Sequence, residues 1–195
     1  LELANIHYDL KDYEKALVLY KEAEQFYASS NNHPTLAYIY GNIGSIQSLK
    51  HSPDSARQNL LHAISILEET KDPQSTITYH LELSQNELLC SDYNLALVYA
   101  QKAYQTAEAF NNPQRKRDAF EQLAKVYEAM GDYQQAYDYQ NKYLHLRDSL
   151  LNTETITQIA NMRADFEIGQ KQQEVERIAA SKRKITLITL ITLLS

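Results

Sequence analysis

The sequence contains no tryptophan, one cysteine, four glycines and four prolines among its 195 residues. Because Cys90 is the single thiol, the chain cannot form a structural disulfide of its own. No run of alternating β-branched residues is present, and the few glycines leave little material for hairpin turns. The composition therefore predicts an all-α chain.

Sequence patterns that carry chemistry are also missing. There is no glycine-rich phosphate loop, no nucleophile elbow and no cysteine close to a candidate base. The six histidines lack partners at metal-ligand spacing, which favours packing or surface roles. They are His7, His33, His51, His62, His80 and His145. We therefore expect no catalytic residue, no metal and no cofactor, and the sequence is predicted not to be that of an enzyme.

The whole chain has a formal net charge of −6 at pH 7, and its negative charge is concentrated in the first three quarters of the sequence. Residues 1–150 contain 13 Lys and Arg against 20 Asp and Glu, whereas residues 151–195 contain 6 against 5. The short basic run Arg115-Lys116-Arg117 is interpreted as a solvated helix end. A surface of this sign repels phosphates, so nucleic-acid binding is not expected.

Small residues, by contrast, recur at a fixed interval of 40 residues. One column of the repeat consists of Ala16, Ala56, Ala96 and Ala136. Two further columns are Ala4, Gly44, Ser84 and Ala124, and Ala23, Ala63, Ala103 and Tyr143. Since eleven of these twelve positions are small, an internal repeat is the economical explanation.

The spacing within the repeat predicts a pair of helices. The alanine column and the third column are seven residues apart, which keeps them on one face of a helix. An apolar residue precedes the first small column, at Leu3, Ile43, Leu83 and Leu123. Small residues on facing stripes let antiparallel helices approach closely, so each unit is predicted to be a helix hairpin.

Helix-breaking segments recur at the predicted boundaries. Within units they are Lys11-Asp12-Tyr13, His51-Ser52-Pro53, Ser91-Asp92-Tyr93 and Gly131-Asp132-Tyr133. Between units they are Asn32-His33-Pro34, Lys71-Asp72-Pro73 and Asn111-Asn112-Pro113. The Asp, Ser or Asn side chain can accept a hydrogen bond from the next helix's first turn, and proline suits the first helical position.

These columns resemble the tetratricopeptide repeat. The resemblance rests on Leu3-Ala4, Asp12-Tyr13-Glu14-Lys15-Ala16, Tyr20 and Ala23, and again on Leu123-Ala124, Tyr127, Gly131-Asp132-Tyr133 and Ala136. It implies a right-handed tetratricopeptide-type α-solenoid whose period exceeds the usual ~34 residues. Gln47 and Glu87 depart from the pattern, which expects an aromatic residue there, and Gln140 and Tyr143 depart in the last unit.

We predict a repeat array over residues 1–151, followed by a long connector helix. The array has four units, the first of them truncated because Leu1 begins inside a helix: about 1–33, 34–72, 73–112 and 113–151. Asn152-Thr153 is predicted to cap the connector helix, residues 152–184, whose sparse apolar positions suit a weak coiled coil and a homodimer.

Residues 185–195 carry no charge and follow the basic cluster Lys182-Arg183-Lys184. They are predicted to start a transmembrane helix, since a full crossing needs about 20 residues. This order of segments resembles the sensor region of bacterial membrane-anchored tetratricopeptide histidine kinases or LuxR-type regulators. The resemblance implies an extracytoplasmic array, a membrane contact through residues 185–195 and beyond, and a kinase or DNA-binding output domain outside this sequence.

In the tetratricopeptide architecture the first helix of each unit lines a concave groove. The resemblance thus implies a partner-binding surface of Asn5, Tyr8, Asp9, Tyr38, Ser45, Ser48, Thr78, Gln85, Asp118, Glu121, Lys125 and Glu128. This polar surface, acidic toward the last unit, suits a protein or peptide ligand with some positive charge. Relatives that bind chaperone tails hold a carboxylate with cationic clamp residues, but Thr78 and Glu82 occupy those positions here.

Two functions follow from the sequence. The leading hypothesis is a non-catalytic protein- or peptide-binding sensor of a membrane-anchored bacterial signal-transduction or transcription regulator. The alternative is a soluble cytoplasmic scaffold or peptide receptor without a membrane anchor. The next residues of the gene discriminate between them, because continued apolar sequence supports the first and polar sequence or a stop codon supports the second.

Overall fold

The computed structural model describes residues 1–29 and 33–193, with side chains described as far as Ala179 and at Lys182. This part of the chain is helical and contains no strand, which confirms the all-α prediction. Its helices are α1 (Glu2–Asp9), α2 (Tyr13–Ala28), α3 (His33–Leu49), α4 (Pro53–Glu69), α5 (Thr76–Leu89), α6 (Tyr93–Ala109), α7 (Pro113–Ala129) and α8 (Tyr133–Leu193). The chain divides into a compact unit of residues Leu1–Arg147 and a second unit that begins at Asp148.

The small residues lie where paired helices approach most closely. A methyl group added to Gly44 on α3 would lie 2.8 Å from Leu60 Cγ and 3.2 Å from the Ala56 carbonyl oxygen on α4. One repeat later, Ser84 Oγ on α5 donates a 2.8 Å hydrogen bond to the Ala96 carbonyl oxygen on α6. Ala56 and Ala96 therefore occupy equivalent surroundings, which confirms the 40-residue repeat of helix hairpins.

The apolar residue before the first small column packs on the preceding hairpin. Ile43 belongs to a core cluster with residues of α1 and α2, and Leu83 and Leu123 pack likewise on α4 and α6. Leu3, at the same position of the first unit, is 54% exposed. In the last unit, Tyr143, which departs from the repeat pattern, is only half-buried, and so is Ala136, which keeps it.

Six of the described helices, α1, α3, α4, α5, α6 and α7, are each followed by one residue in the left-handed conformation. Positive φ angles of 49–79° recur at Lys11, His51, Lys71, Ser91, Asn111 and Gly131. At Ser91 the N–H donates to the Leu88 carbonyl at 3.0 Å, and the next N–H, of Asp92, donates to the Glu87 carbonyl at 2.9 Å. This bond pair is the Schellman motif, which satisfies carbonyls left open at the helix end.

Replacing Ser91 by glycine is expected to raise the free energy of unfolding by about 0.5–1 kcal/mol, because glycine removes the Cβ strain of the left-handed backbone. Urea unfolding followed by circular dichroism measures the change. The matched control is Ser65→Gly in the exposed interior of α4, where the same replacement should lower stability by about 0.5–1 kcal/mol. A destabilised Ser91→Gly variant would contradict the prediction.

Several predicted helix caps are present. Side-chain oxygens accept hydrogen bonds from first-turn N–H groups at Asp92 (from Leu95, 3.1 Å), Asn112 (from Arg115, 3.0 Å) and Asp132 (from Gln135, 3.1 Å). The prediction is wrong for Asp12 and Ser52, which make no such bond. Asp12 instead lies 3.0 Å from Lys15 Nζ and 3.2 Å from His7 Nδ1, so other side chains compete for its carboxylate.

The boundary predicted at Lys71-Asp72-Pro73 is present, but α5 begins later than the proline. Residues 73–75 form a turn, and the Asp72 carboxylate accepts bonds from the Ser75 N–H (3.3 Å) and hydroxyl (2.6 Å). The helix therefore starts at Thr76. Pro113 does begin α7 and Pro34 is the second residue of α3, whereas Asn32 lies outside the described residues.

Polar pairs replace the aromatic residues that the repeat pattern expects at Gln47 and Glu87. Asn59 Nδ2 on α4 donates a 2.8 Å hydrogen bond to Gln47 Oε1 on α3. Glu87 on α5 is fully buried and pairs with Arg57 on α4, whose Nε donates to Glu87 Oε1 at 2.7 Å and whose Nη2 bonds Oε2. Each pair joins neighbouring helices, as a packed aromatic ring would.

In the unit that begins at Asp148, the prediction of a new helix at Asn152-Thr153 is wrong. Helix α8 passes through both positions without a break. The Thr153 hydroxyl donates to the Ser149 carbonyl at 2.9 Å and the Thr155 hydroxyl to the Leu151 carbonyl at 2.9 Å. These threonines bond backward within a helical turn instead of capping a new one, and neither proline nor glycine interrupts the helix there.

Large apolar side chains of this unit are 46–68% exposed: Leu151, Ile156, Ile159, Met162, Phe166, Ile168, Val175 and Ile178. Within residues 1–29 and 33–193, none of the helices combines the length and the apolar character that a membrane crossing requires. The segment predicted to start a transmembrane helix, residues 185–195, extends beyond the described range at residues 194 and 195.

Candidate partner-binding groove

The odd-numbered helices of the array share one face. Helix α3 contacts α5, and α5 contacts α7. Side chains from α1, α3 and α5 line a single cavity of about 180 Å³. They are Tyr8 from α1, Ser45, Ser48 and Leu49 from α3, and Glu82 and Gln85 from α5. Four of the predicted groove residues, Tyr8, Ser45, Ser48 and Gln85, are thus brought together from three helices.

Asn5 and Tyr38 form a second contact on this face, beside the cavity residue Tyr8. The Tyr38 hydroxyl donates to Asn5 Oδ1 at 3.2 Å, and the buried Tyr20 hydroxyl donates to the same oxygen at 2.7 Å. The two donors hold the Asn5 carbonyl group in place. Tyr38 remains 41% exposed, so its ring is accessible to a partner.

Glu82 is the acidic group of the cavity. Its Oε2 bonds the Ser45 hydroxyl, and Ser45 Oγ also lies 3.0 Å from the Gly41 carbonyl oxygen. Burial raises the pKa of the Glu82 carboxyl to about 7, although the Ser45 hydroxyl and the charge of Arg115 oppose the shift. When Glu82 is ionised, Ser45 donates to it; when Glu82 is protonated, its carboxyl can donate to Ser45 while Ser45 donates to Gly41.

Tyrosine side chains surround this carboxyl. Burial, and next the charge of Glu82, raises the pKa of both Tyr8 and Tyr79. The Tyr79 ring lies so close to α3 that a methyl group added to Gly41 would be 2.1 Å from Tyr79 Cε1. Gly41 therefore makes the space in which the Tyr79 ring can pack beside the cavity.

Two of the three acidic residues predicted for the last unit, Asp118 and Glu121, are paired with neighbouring cations. Asp118 Oδ1 accepts a 3.0 Å bond from Arg117 Nε, and Asp118 Oδ2 lies 3.5 Å from Arg115 Nη1. Glu121 Oε1 accepts a 2.7 Å bond from Lys125 Nζ. The last unit is consequently less acidic than a count of its carboxylates indicates. No ion pair among the described residues includes Glu82.

The remaining predicted residues lie apart from the cavity lining. Asp9 and Glu128 are exposed, and Thr78 is half-buried on α5. From the sequence, Glu82 is only a mismatch to a carboxylate clamp, and it is not among the predicted groove residues. A signal was available: Glu82 follows Thr78 by four residues and precedes Gln85 by three, which places all three on one helical face. Within the residues described, no group of histidine, cysteine and acidic side chains could hold a metal ion.

The comparisons with known proteins concern the repeat fold of the array. The tetratricopeptide repeat family model matches residues 1–69. No protein of curated function matches the chain.

Solved structures share the fold at low sequence identity. BtubC (BKLC) from P. vanneervenii is 19% identical, with a TM-score of 0.70 over 76% of this chain and 61% of its own. A signal-transduction ATPase with a tetratricopeptide repeat sensor from Pyrococcus horikoshii is 21% identical, with a TM-score of 0.69 over 78% of this chain and 24% of its own. RapI in its apo form is 14% identical, with a TM-score of 0.66 over 75% of this chain and 41% of its own. The chain thus spans less than two thirds of these proteins. The fold is a helical-repeat solenoid, an architecture that presents an extended surface for protein interaction.

Proposed function

Taking as premise that residues 1–147 form a tetratricopeptide-type solenoid, we propose that the chain is a non-catalytic module that binds a protein or peptide in the groove of its odd-numbered helices. The observation that carries this proposal is the cavity shared by α1, α3 and α5. Side chains from three separate helices line it, and their polar groups lie within a mainly apolar wall, as expected for a site that reads an extended ligand across repeats.

The groove residues provide two kinds of contact. Tyr38 offers an accessible aromatic ring next to the amide of Asn5, and rings of this kind are frequent anchors at interfaces. Ser48 and Gln85 offer hydrogen-bonding groups inside the cavity. A peptide lying across α1, α3 and α5 can use both without any rearrangement of the array.

Alanine replacements in the groove test the proposal. Peptides selected from a random phage-displayed library on the intact chain are expected to lose about tenfold or more in affinity for Tyr38→Ala and Gln85→Ala, because both replacements remove groove contacts. Isothermal titration calorimetry gives the dissociation constants. Gln101→Ala, at an exposed position of α6, is the control. Peptides that bind all variants equally, or a selection that yields no binder, would contradict groove binding.

A finer proposal concerns the whole protein. The continuous helix α8 and the apolar residues that follow the basic cluster support a sensor of a membrane-anchored bacterial signal-transduction or transcription regulator. The family resemblance favours extracytoplasmic repeats, whereas the basic cluster Lys182-Arg183-Lys184 favours a cytoplasmic flank, so the orientation is an outcome of the test. Topology reporters fused to the full-length protein test this proposal. A wholly soluble product would favour the alternative, a cytoplasmic scaffold or peptide receptor.

The exposed apolar side chains of residues 151–178 support a second role for α8 as a homodimer contact. Such a contact could pass a change in the array to an output domain. Sedimentation equilibrium of the chain tests it, and a monomer at every concentration measured would refute it.

A further inference from the structure

The cavity between α1, α3 and α5 contains the carboxylate of Glu82, which forms no ion pair with any described lysine or arginine and feels Arg115 on α7 only through its charge. Glu82 lies in the cavity wall, and its described hydrogen bond is to the neutral hydroxyl of Ser45. Of the other groove acids, Asp118 and Glu121 are already paired with arginine or lysine, and Asp9 and Glu128 are exposed and lie outside the cavity lining. An unpaired carboxylate removed from water is unfavourable unless something else compensates it.

From this geometry we infer that the cavity recognises a primary ammonium group, that of a lysine side chain in the bound peptide, which pairs with the Glu82 carboxylate. This inference rests on the proposed function, because it names the chemistry that the groove would read. It reverses the charge of a carboxylate-binding clamp, since the protein would supply the anion and the ligand the cation.

The arrangement of oxygens favours lysine over arginine. Ser45 occupies Oε2 of Glu82, which hinders the two parallel bonds that a guanidinium forms with a carboxylate. An ammonium group is a compact charge with three donors and can use Oε1 alone. Its other donors find acceptor oxygens on Tyr8, Ser48 and Gln85, which line the same cavity.

The ionisation of Glu82 provides a readout specific to this pairing. Because burial raises the pKa of Glu82 to about 7, only about a tenth of the unliganded protein carries the anion at pH 6. Binding of an ammonium group at that pH must therefore expel a proton from Glu82. The other titratable or charged groups that act on this region are Tyr8 from α1, Tyr38 from α3, Tyr79 from α5 and Arg115 from α7.

The experiment uses groove-binding peptides from the phage selection, synthesised in matched forms. The lysine is kept, or replaced by norleucine, acetyl-lysine or arginine, and the peptide amino terminus is either free or acetylated. Each form is titrated into the intact chain, into Glu82→Gln and into the control Glu24→Gln. Glu24 on α2 is a suitable match because it also accepts a hydroxyl hydrogen bond, from Tyr40 at 3.0 Å, but outside the cavity.

The lysine-to-norleucine change is expected to weaken binding at least about tenfold with the intact chain and with Glu24→Gln, but only slightly with Glu82→Gln. Affinity for the intact chain should also rise about tenfold from pH 6 to pH 8, and this rise should vanish in Glu82→Gln. Acetylating the amino terminus should change nothing. An acetylation effect would assign the ammonium group to the peptide terminus instead, and an arginine peptide that binds as well as lysine would overturn the preference for lysine.

Failure of this inference is distinguishable from failure of the proposed function. If peptides bind in the groove but no lysine of theirs is coupled to Glu82, the inference alone is wrong. If no peptide depends on Tyr38 or Gln85, groove binding itself is wrong. The peptide replacements require no change in the protein, so they remain informative whatever the stability of Glu82→Gln.

Discussion

Replacing Arg57 with methionine is expected to lower the free energy of unfolding by about 2–4 kcal/mol at neutral pH. Glu87 is fully buried, and its two oxygens bond Nε and Nη2 of Arg57. Without the guanidinium, the carboxylate keeps only the amide of Asn86, whose Nδ2 lies 3.3 Å from Oε1. The expected loss is below that of a fully enclosed pair, because the Arg57 side chain is 31% exposed and water can partly replace it.

Urea unfolding of three variants checks this prediction. Asp54→Ala removes the other acidic contact of Arg57, but its side chain is 89% exposed, so the change should remain within about 0.5 kcal/mol. The double variant Arg57→Met with Glu87→Phe restores the aromatic residue that the repeat pattern expects and should recover most of the lost stability. Equal stability of Arg57→Met and the intact chain would show that Glu87 is not held by this pair.

Glu82→Gln is expected to raise the free energy of unfolding by roughly 1–3 kcal/mol at pH 8, with the gain disappearing near pH 4. The folded-state pKa of Glu82, raised by burial to about 7, exceeds its unfolded value near 4.5. The folded state therefore binds the proton more tightly. The intact chain keeps its full free energy of unfolding below pH 4.5. It loses the contribution of protonated Glu82 as the pH rises through 7, because the carboxylate must then be ionised inside the cavity.

The difference between Glu82→Gln and the intact chain must be measured at each pH. Burial, and then the charge of Lys102, lowers the pKa of His80 to about 4, so this histidine makes stability rise with pH between about 4 and 6.5. That trend opposes the effect of Glu82 in the same range, but it is common to both proteins and cancels in the difference. Thermal unfolding at intervals from pH 4 to pH 8 suffices. A difference that does not vary with pH would contradict a buried, uncompensated Glu82.

Such a gain in stability has a functional meaning. A group that lowers stability can persist where its chemistry is needed, so residues of this kind concentrate at binding sites. Glu82 and Glu87 lie on the same helix and illustrate the contrast. Glu87 forms an ion pair with Arg57 within the protein, whereas Glu82 faces a cavity in which the ammonium group of a ligand can pair with it.

The sequence by itself determined the helical repeat. Small residues at a fixed interval permit close helix approach only if every unit packs in the same way, so Gly44 with Ala56 and Ser84 with Ala96 could be paired from their numbering alone. Most helix boundaries were also predictable, because left-handed turn residues and polar caps act within a few residues of chain. The prediction of a helix cap at Asn152-Thr153 was wrong, because threonine hydroxyls there bond backward within one continuous helix.

The candidate site was decided by the tertiary structure. Twelve groove residues could be assigned from the resemblance to a repeat architecture, but the sequence could not show which acids are neutralised. Asp118 and Glu121 have cations near them on their own helix, whereas the partner of Glu87 lies 30 residues away and Glu82 contacts Ser45 across 37 residues. The charge that a ligand meets depends on distances between side chains of different helices, and those distances exist only once the hairpins have stacked.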